Sequence, residues 1–255
     1  MSAGSHYHRS LAATPWAIGS PERAWPAPGI VEVWRTPLPG TPESAESAYP
    51  LLSAGERERA ERFYFPADRY AYVRTRGILR RLLAGYLGQR AEDLVFRTNP
   101  YGKPYLADHP ELAFNLSHGG GYGLFAFTGA TTVGIDLESI ALDVDTDQFS
   151  HRVFSPTERL RVLELENAEE RRATFYRTWT RKEAFLKAHG EGLTLPLDQF
   201  TVPADLAAPL RIESIKWDPA SAETWSLASF MVTEQLPAAL VIAGPLKDIR
   251  FFDFG

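Results

Sequence analysis

Val133-Gly134-Ile135-Asp136-Leu137-Glu138 reads as a buried strand ending in two carboxylates, and Trp179-Thr180-Arg181-Lys182-Glu183-Ala184-Phe185-Leu186-Lys187 reads as a helix. Successive strand side chains alternate between faces, so Asp136 and Glu138 share one while Leu137 points back into the apolar layer. On the helix, Glu183 and Lys187 lie one turn apart on one side, with Trp179 one turn earlier. Where the strand end meets this helix, three carboxylates and an ammonium converge. Three hard oxygen ligands suit Mg²⁺, whose octahedral shell is usually completed by water and phosphate oxygens. Singly, Asp-x-Glu is usually a solvated strand edge, and Glu followed four residues later by Lys is usually a surface ion pair. Together with the stretches below, they point to phosphate chemistry.

The 255 residues can bury a large core, as one big domain or two smaller ones. A hydrophobic content of 44% with 23% charged residues is ordinary for a soluble globular protein. The net charge of −5 and the lack of a basic run argue against a general nucleic-acid binder. There is no cysteine, which removes disulfides, thiolate zinc sites and cysteine nucleophiles and fits a cytoplasmic protein. No apolar run is long enough for a membrane helix, and the N-terminus lacks a signal-peptide core. Residues 1–29, rich in Pro, Ser, Gly and Ala, read as a mobile or loosely draped extension, with Trp16 and Trp25 as isolated apolar points.

Ile30 to Trp34 reads as the first strand, followed by a linker to about Pro50. Ser53-Ala54-Gly55-Glu56 is a capping box opening a helix with Arg57, Arg59 and Arg62 that Pro66 breaks. A second helix spans about Asp68 to Leu87 and stops at Gly88, with Arg76 and Arg80 at the edge of its apolar stripe. Leu94 to Arg97 is a strand, Asn99 to Pro104 a loop, and Tyr122–Thr128 and Thr132–Glu138 read as a hairpin around Gly129-Ala130. Ser155-Pro156-Thr157-Glu158 is a second capping box, followed by helices over roughly 156–165 and 169–188. The remainder is strand-rich. The fold class is α+β: an N-terminal half over 30–130 and a C-terminal half over 131–255 that carries the metal site.

Two further stretches have the composition of an anion site. Lys103, on a Gly-Lys-Pro turn stiffened by Pro104, offers a rigidly placed ammonium, although an exposed turn lysine is the commoner case. Ser117-His118 before three glycines offers a hydroxyl, an imidazole and backbone N–H groups, or simply a turn between strands. His118-Gly119-Gly120-Gly121 is similar to an esterase oxyanion stretch, but the chain has no Gly-x-Ser-x-Gly elbow. The glycines precede a strand, so they are no dinucleotide fingerprint, and there is no P-loop.

Tyr101-Gly102-Lys103-Pro104, Phe114 to His118, Val133 to Glu138, Phe154-Ser155-x-x-Glu158 and Trp179-x-x-Lys182-Glu183-Ala184-Phe185-x-Lys187 stand in the order and approximate spacing of Sfp-type 4′-phosphopantetheinyl transferases. Gly190-Glu191-Gly192-Leu193 and Leu195-Pro196-Leu197 also resemble that family, and the resemblance covers about residues 30–245. It implies two similar α/β halves related by pseudo-twofold symmetry, with the active site in the cleft between them. It also implies coenzyme A as donor, Mg²⁺ as cofactor and an apo acyl or peptidyl carrier protein as acceptor.

Carried over by position, Asp136, Glu138 and Glu183 would bind Mg²⁺. Glu183 has a second implied role as base toward the carrier serine, and Lys187 would stabilise the pyrophosphate or protonate the leaving 3′,5′-ADP. Lys103, Pro104, Ser117 and His118 would contact the nucleotide and its phosphates. Arg59 matches a position associated with the 3′-phosphate. Glu56 stands where a basic residue is common, so Arg76 is the candidate for the missing charge. Phe149, Val153 and Phe154 are candidates for carrier contact or for core. The resulting expectation is a monomeric enzyme acting on carrier domains, without nucleic acid or membrane. A Mg²⁺-dependent phosphodiesterase or pyrophosphatase would use the same carboxylates with water as nucleophile. A non-catalytic coenzyme A-binding module is the third reading, and the intact trio with Lys187 counts against it.

Overall fold

A computed structural model describes residues 14–38, 41–129, 132–141, 145–205, 208 and 210–255. In chain order the strands are β1 (Ala17–Ile18), β2 (Ile30–Pro37), β3 (Phe96–Thr98), β4 (Pro104–Leu106), β5 (Leu112–Gly119), β6 (Tyr122–Gly129), β7 (Val133–Leu137), β8 (Phe200–Thr201), β9 (Ser214–Ile215), β10 (Trp225–Thr233), β11 (Leu236–Ala243) and β12 (Asp248–Asp253). The helices are α1 (Pro42–Glu46), α2 (Ala54–Glu61), α3 (Pro66–Leu87), α4 (Thr146–Val153), α5 (Pro156–Leu163) and α6 (Ala168–His189). The larger sheet runs β1-β12-β2-β6-β5 and the smaller one β10-β11-β7. Among the described residues, no helix is long and apolar enough to cross a membrane.

Strand alternation sorts the side chains into layers. Val31 and Val33 of β2, Leu124 and Ala126 of β6, Ile135 of β7 and Leu240 of β11 meet in one core, so the sheets pack face to face. The opposite face of the larger sheet, with Trp34, Phe125 and Phe127, packs on Ile78, Leu79, Leu82 and Leu83 of α3. The opposite face of the smaller sheet, with Ala239 and Val241, packs on Ala184, Phe185 and Ala188 of α6. Each half thus covers its sheet with a 22-residue helix. The α+β class holds, and Asp136 is turned toward α6.

Both capping boxes form as read, with Ser53 and Glu56 exchanging bonds at α2 and Ser155 and Glu158 at α5. Gly88 and Gly190 end α3 and α6 at φ of 62° and 89°, in the left-handed region that suits glycine. The expected β6–β7 hairpin does not form. Gly120 and Gly121, at φ of 55° and 80°, turn β5 tightly into β6. β6 pairs with β5 on one edge and β2 on the other, so both its edges are filled and β7 pairs with β11 instead.

Short helix α1 occupies a stretch read as linker. Residues 14–29 are anchored, not loosely draped. Ala17 and Ile18 pair with β12, Trp16 packs edge-on against Phe230 and Phe251, and Trp25 packs against Tyr86 and Phe127. The earlier part of the expected extension lies outside the described residues. The C-terminus also departs from the expected division: β12 runs parallel to β2 inside the larger sheet, which stitches the chain's end to its first half.

Candidate active site

The site is built where the two sheets meet at their edges. Asn115 and Ser117 lie two residues apart on β5, so both side chains reach toward β7. The Asn115 Oδ1 accepts the Ile135 N–H at 2.9 Å, and the Ser117 hydroxyl donates to Asp136 Oδ1 at 2.9 Å. Side chains therefore bridge two strands that do not pair through their backbones.

On the other side, Asn167 caps α6 by accepting from the N–H groups of Glu169 and Glu170. The helix can approach β7 closely because residue 134 is glycine: a Cβ there would stand 2.1 Å from Ala184 O and 2.2 Å from Ala188 N. This approach brings the Lys187 ammonium to 2.6 Å from Asp136 Oδ1 and 2.9 Å from Ser117 Oγ. At the far end of the strand, Trp179 donates its indole N–H to Glu138 Oε1 at 3.3 Å. The face of α6 read from the sequence is the one presented.

The carboxylates share a field. Burial raises Asp136, against the pull of Lys187 and Ser117. Burial and then the Asp136 charge raise Glu138. Glu183 is pushed up to about 7 by burial and the Asp136 charge, with Glu138 adding to them and Lys187 opposing. Asp136 Oδ2 is buried without a hydrogen-bond partner. A buried orphan oxygen among mutually repelling carboxylates is a place that favours a cation. Among the described residues, no three His, Cys, Asp or Glu side chains are yet drawn into ligating geometry. Lys187 occupies one Asp136 oxygen and Trp179 one Glu138 oxygen. The donor set nonetheless fits a hard divalent ion.

The other expected residues divide. His118 is exposed beside Ser117, with its ring lowered from the usual imidazole range by partial enclosure and by the Lys187 charge. Lys103 is not a free phosphate point charge: its ammonium donates to Thr132 Oγ1 at 2.9 Å, Val133 O at 3.0 Å and Ala188 O at 3.1 Å. Burial pushes it down to about 8. Lys103 and Pro104 line a cavity of about 610 Å³ together with Thr132, His189 and Gly190.

Arg76 is turned inward as well, with its Nε 2.7 Å from Glu56 Oε1, while the buried Arg80 donates to Glu56 Oε2 at 2.8 Å. Burial alone would raise Glu56, but Arg76, the Ser53 N–H and Arg80 outweigh it and hold it low. Arg76 is thereby committed to the carboxylate that displaced the expected basic residue. Arg59 instead lines an open hollow of about 490 Å³ with Gly55, Arg62 and Phe63. Val153 and Phe154 are core residues packed with Val162, Phe175 and Tyr176, so of the three carrier-contact candidates only Phe149 is exposed, at 36%. Asn115 and Asn99 were missed as functional residues. For Asn115 the available signal was its i, i+2 relation to Ser117.

Residues 132–241 match the family model described as the 4′-phosphopantetheinyl transferase superfamily, and residues 38–129 match the one described as 4′-phosphopantetheinyl transferase, N-terminal. The chain is 34% identical over 217 residues to the 4′-phosphopantetheinyl transferase HetI of a Nostoc species, covering 84% of this chain and 88% of that one. It is 34% identical over 167 residues to the transferase Sfp of Bacillus subtilis, covering 64% and 71%. Over 184 residues it is 33% identical to the Bacillus pumilus transferase psf-1, covering 71% and 77%. The chain belongs to the 4′-phosphopantetheinyl transferase family and is an enzyme of that class.

Proposed function

We propose that the protein transfers the 4′-phosphopantetheine group of coenzyme A to a serine hydroxyl of an apo acyl or peptidyl carrier protein, with Mg²⁺ required and 3′,5′-ADP released. The observation that carries this reading is the contact of Asp136 Oδ1 with both Ser117 and Lys187, beside an orphan Oδ2 and two further carboxylates.

Asp136, Glu138 and Glu183 would hold Mg²⁺, which when bound neutralises charge on the pyrophosphate. Glu183, in the shared field of Asp136 and Glu138, would take the proton of the carrier serine as its oxygen bonds to the β-phosphorus. The bond to the leaving 3′,5′-ADP phosphate breaks as the new one forms. Lys187 would donate a hydrogen bond or its proton to that oxygen. Phosphoryl transfer needs mainly positioning and charge neutralisation, and these residues supply both.

Ser117, His118 and Arg59 are assigned to the phosphates. The nucleotide end is assigned to the cavity beside Pro104 and Tyr105, in whose wall the Lys103 ammonium is already committed to Thr132, Val133 and Ala188. Phe149, edge-on to Trp179 with centroids 5.4 Å apart, is assigned to the carrier. One chain supplies all of these groups, in keeping with a monomeric cytoplasmic enzyme.

The test is the intact mass of an apo carrier after incubation with enzyme, coenzyme A and Mg²⁺, beside a chelator control. The expected result is a gain of one phosphopantetheine that the chelator prevents. Hydrolysis of coenzyme A without any carrier would instead support a phosphodiesterase. Failure to bind coenzyme A would sink the donor assignment.

A further inference from the structure

We infer that Lys103 is a positioning residue, which with Asn99 and Thr132 caps the C-terminal end of α6 and so fixes Lys187 against Asp136. The carbonyls of a helix's last turn have no partner within the helix and carry partial negative charge. At the end of α6, Ala188 O accepts from the Thr132 hydroxyl at 2.6 Å and from the Lys103 ammonium at 3.1 Å. Gly190 O accepts from Asn99 Nδ2 at 2.8 Å.

Lys103 also donates to Val133 O at 3.0 Å, the first carbonyl of β7. One ammonium therefore joins the start of the strand that carries Asp136 to the last turn of the helix that carries Lys187. The loop holding it is itself held, because Asn99 Oδ1 accepts the N–H groups of Tyr101 and Lys103 at 3.0 and 2.9 Å. An ammonium has only three N–H donors, and all three are engaged, so none is left for a phosphate. A cation at a helix C-terminus is also where the helix field favours one.

The inference rests on the transferase reading for the role it gives Lys187. The cap itself does not depend on that reading. Lys103→Met keeps most of the stem and removes the donors, while Asn99→Ala removes the Gly190 cap bond together with the two bonds that hold the Lys103 loop, and carries the test should Lys103→Met not fold. Each full-length variant is assayed for transfer with coenzyme A varied at saturating apo carrier. Coenzyme A affinity is measured by calorimetry, and amide exchange is followed over residues 184–191.

The expected result is a fall in kcat of about tenfold or more, with KM and Kd for coenzyme A within about twofold, because an interaction that orients a reacting group acts on turnover. Exchange in the last turn of α6 rises. A coenzyme A Kd weakened about tenfold, with kcat at saturation and exchange unchanged, would make Lys103 a phosphate ligand and overturn the inference. Unchanged values throughout would overturn it as well. Should the wild-type chain transfer nothing, the transferase reading fails, while the exchange measurement still decides the cap.

Discussion

The Lys182 ammonium lies 2.9 and 2.7 Å from the two carboxylate oxygens of Glu158, and neither side chain has any surface open to solvent. Its third donor goes to Phe200 O at 2.7 Å, and Glu158 also accepts the N–H groups of Ser155 and Val202. The pair thus joins the start of α5, the β8 strand and the middle of α6, one residue before Glu183. Breaking a buried pair from one side leaves an uncompensated charge, which costs about 3–5 kcal/mol. Lys182→Met is expected to lower the stability measured by urea denaturation by that amount, and replacing Glu158 with an apolar residue as well should not recover it, because the Ser155 and Val202 N–H groups then lose their acceptor. A loss below about 1 kcal/mol for the single change would mean that the pair carries no such weight.

Gly134→Ala tests the close approach of α6 to β7. The added Cβ meets backbone atoms of Ala184 and Ala188, which cannot rotate away as a side chain could. Overpacking of this kind costs about 1–3 kcal/mol. Relief requires α6 to move off the strand, so the Lys187–Asp136 contact lengthens and transfer is expected to fall along with thermal stability. Wild-type turnover in this variant would show that the spacing is not needed.

Asn115→Leu removes the acceptor for the Ile135 N–H, a buried donor at the seam between the sheets. Leaving it unsatisfied is expected to cost about 1–3 kcal/mol. Because Ile135 directly precedes Asp136, kcat should fall more than stability alone explains when both are measured well below the melting temperature. An equal fall in a matched destabilising variant elsewhere would remove the special role of this bond.

What was legible in the sequence was local. Ser53 with Glu56, Ser155 with Glu158, and the glycines at 88 and 190 fix helix ends through neighbours a few residues away, and all form as read. The shared face of Trp179, Glu183 and Lys187 follows from helical periodicity in the same way. Choice of partner was not legible. β6 fills both edges with β2 and β5, and β2 takes β12 from the far end of the chain, neither of which leaves a mark in the β6 or β7 sequence. Lys103 looked like a phosphate cation because its turn is stiff, but where its ammonium goes depends on where α6 ends in space. Arg76 looked available until Glu56, read only as a cap, proved to pair with it.

Lys103 also makes stability depend on pH. Burial lowers its folded value to about 8 from the 10.5 of an ordinary lysine, so between these the unfolded chain holds the proton that the folded one has shed. Unfolding then takes up a proton, and stability from this residue rises as pH climbs from about 8 toward 10.5, by at most about 3 kcal/mol. Across this range the urea midpoint of wild type should rise relative to that of Lys103→Met. Parallel curves would show that Lys103 stays charged in the fold.

Asp136→Asn separates the chemical role of the site from its structural one. Asparagine keeps an oxygen for the Ser117 hydroxyl but removes the charge facing Lys187 and Glu183. Since burial raises the Asp136 carboxyl, its ionised form is held in the fold at a cost. The variant is therefore expected to be at least as stable as wild type without ligand, yet to lose transfer by about a hundredfold or more, as expected when a group that stabilises transition-state charge is removed. Anything that binds the folded state raises its melting temperature. Mg²⁺ with coenzyme A should accordingly raise the melting temperature of wild type more than that of the variant. Transfer at the wild-type rate would remove Asp136 from the metal site, and an equal Mg²⁺-dependent shift in both proteins would place the ion elsewhere.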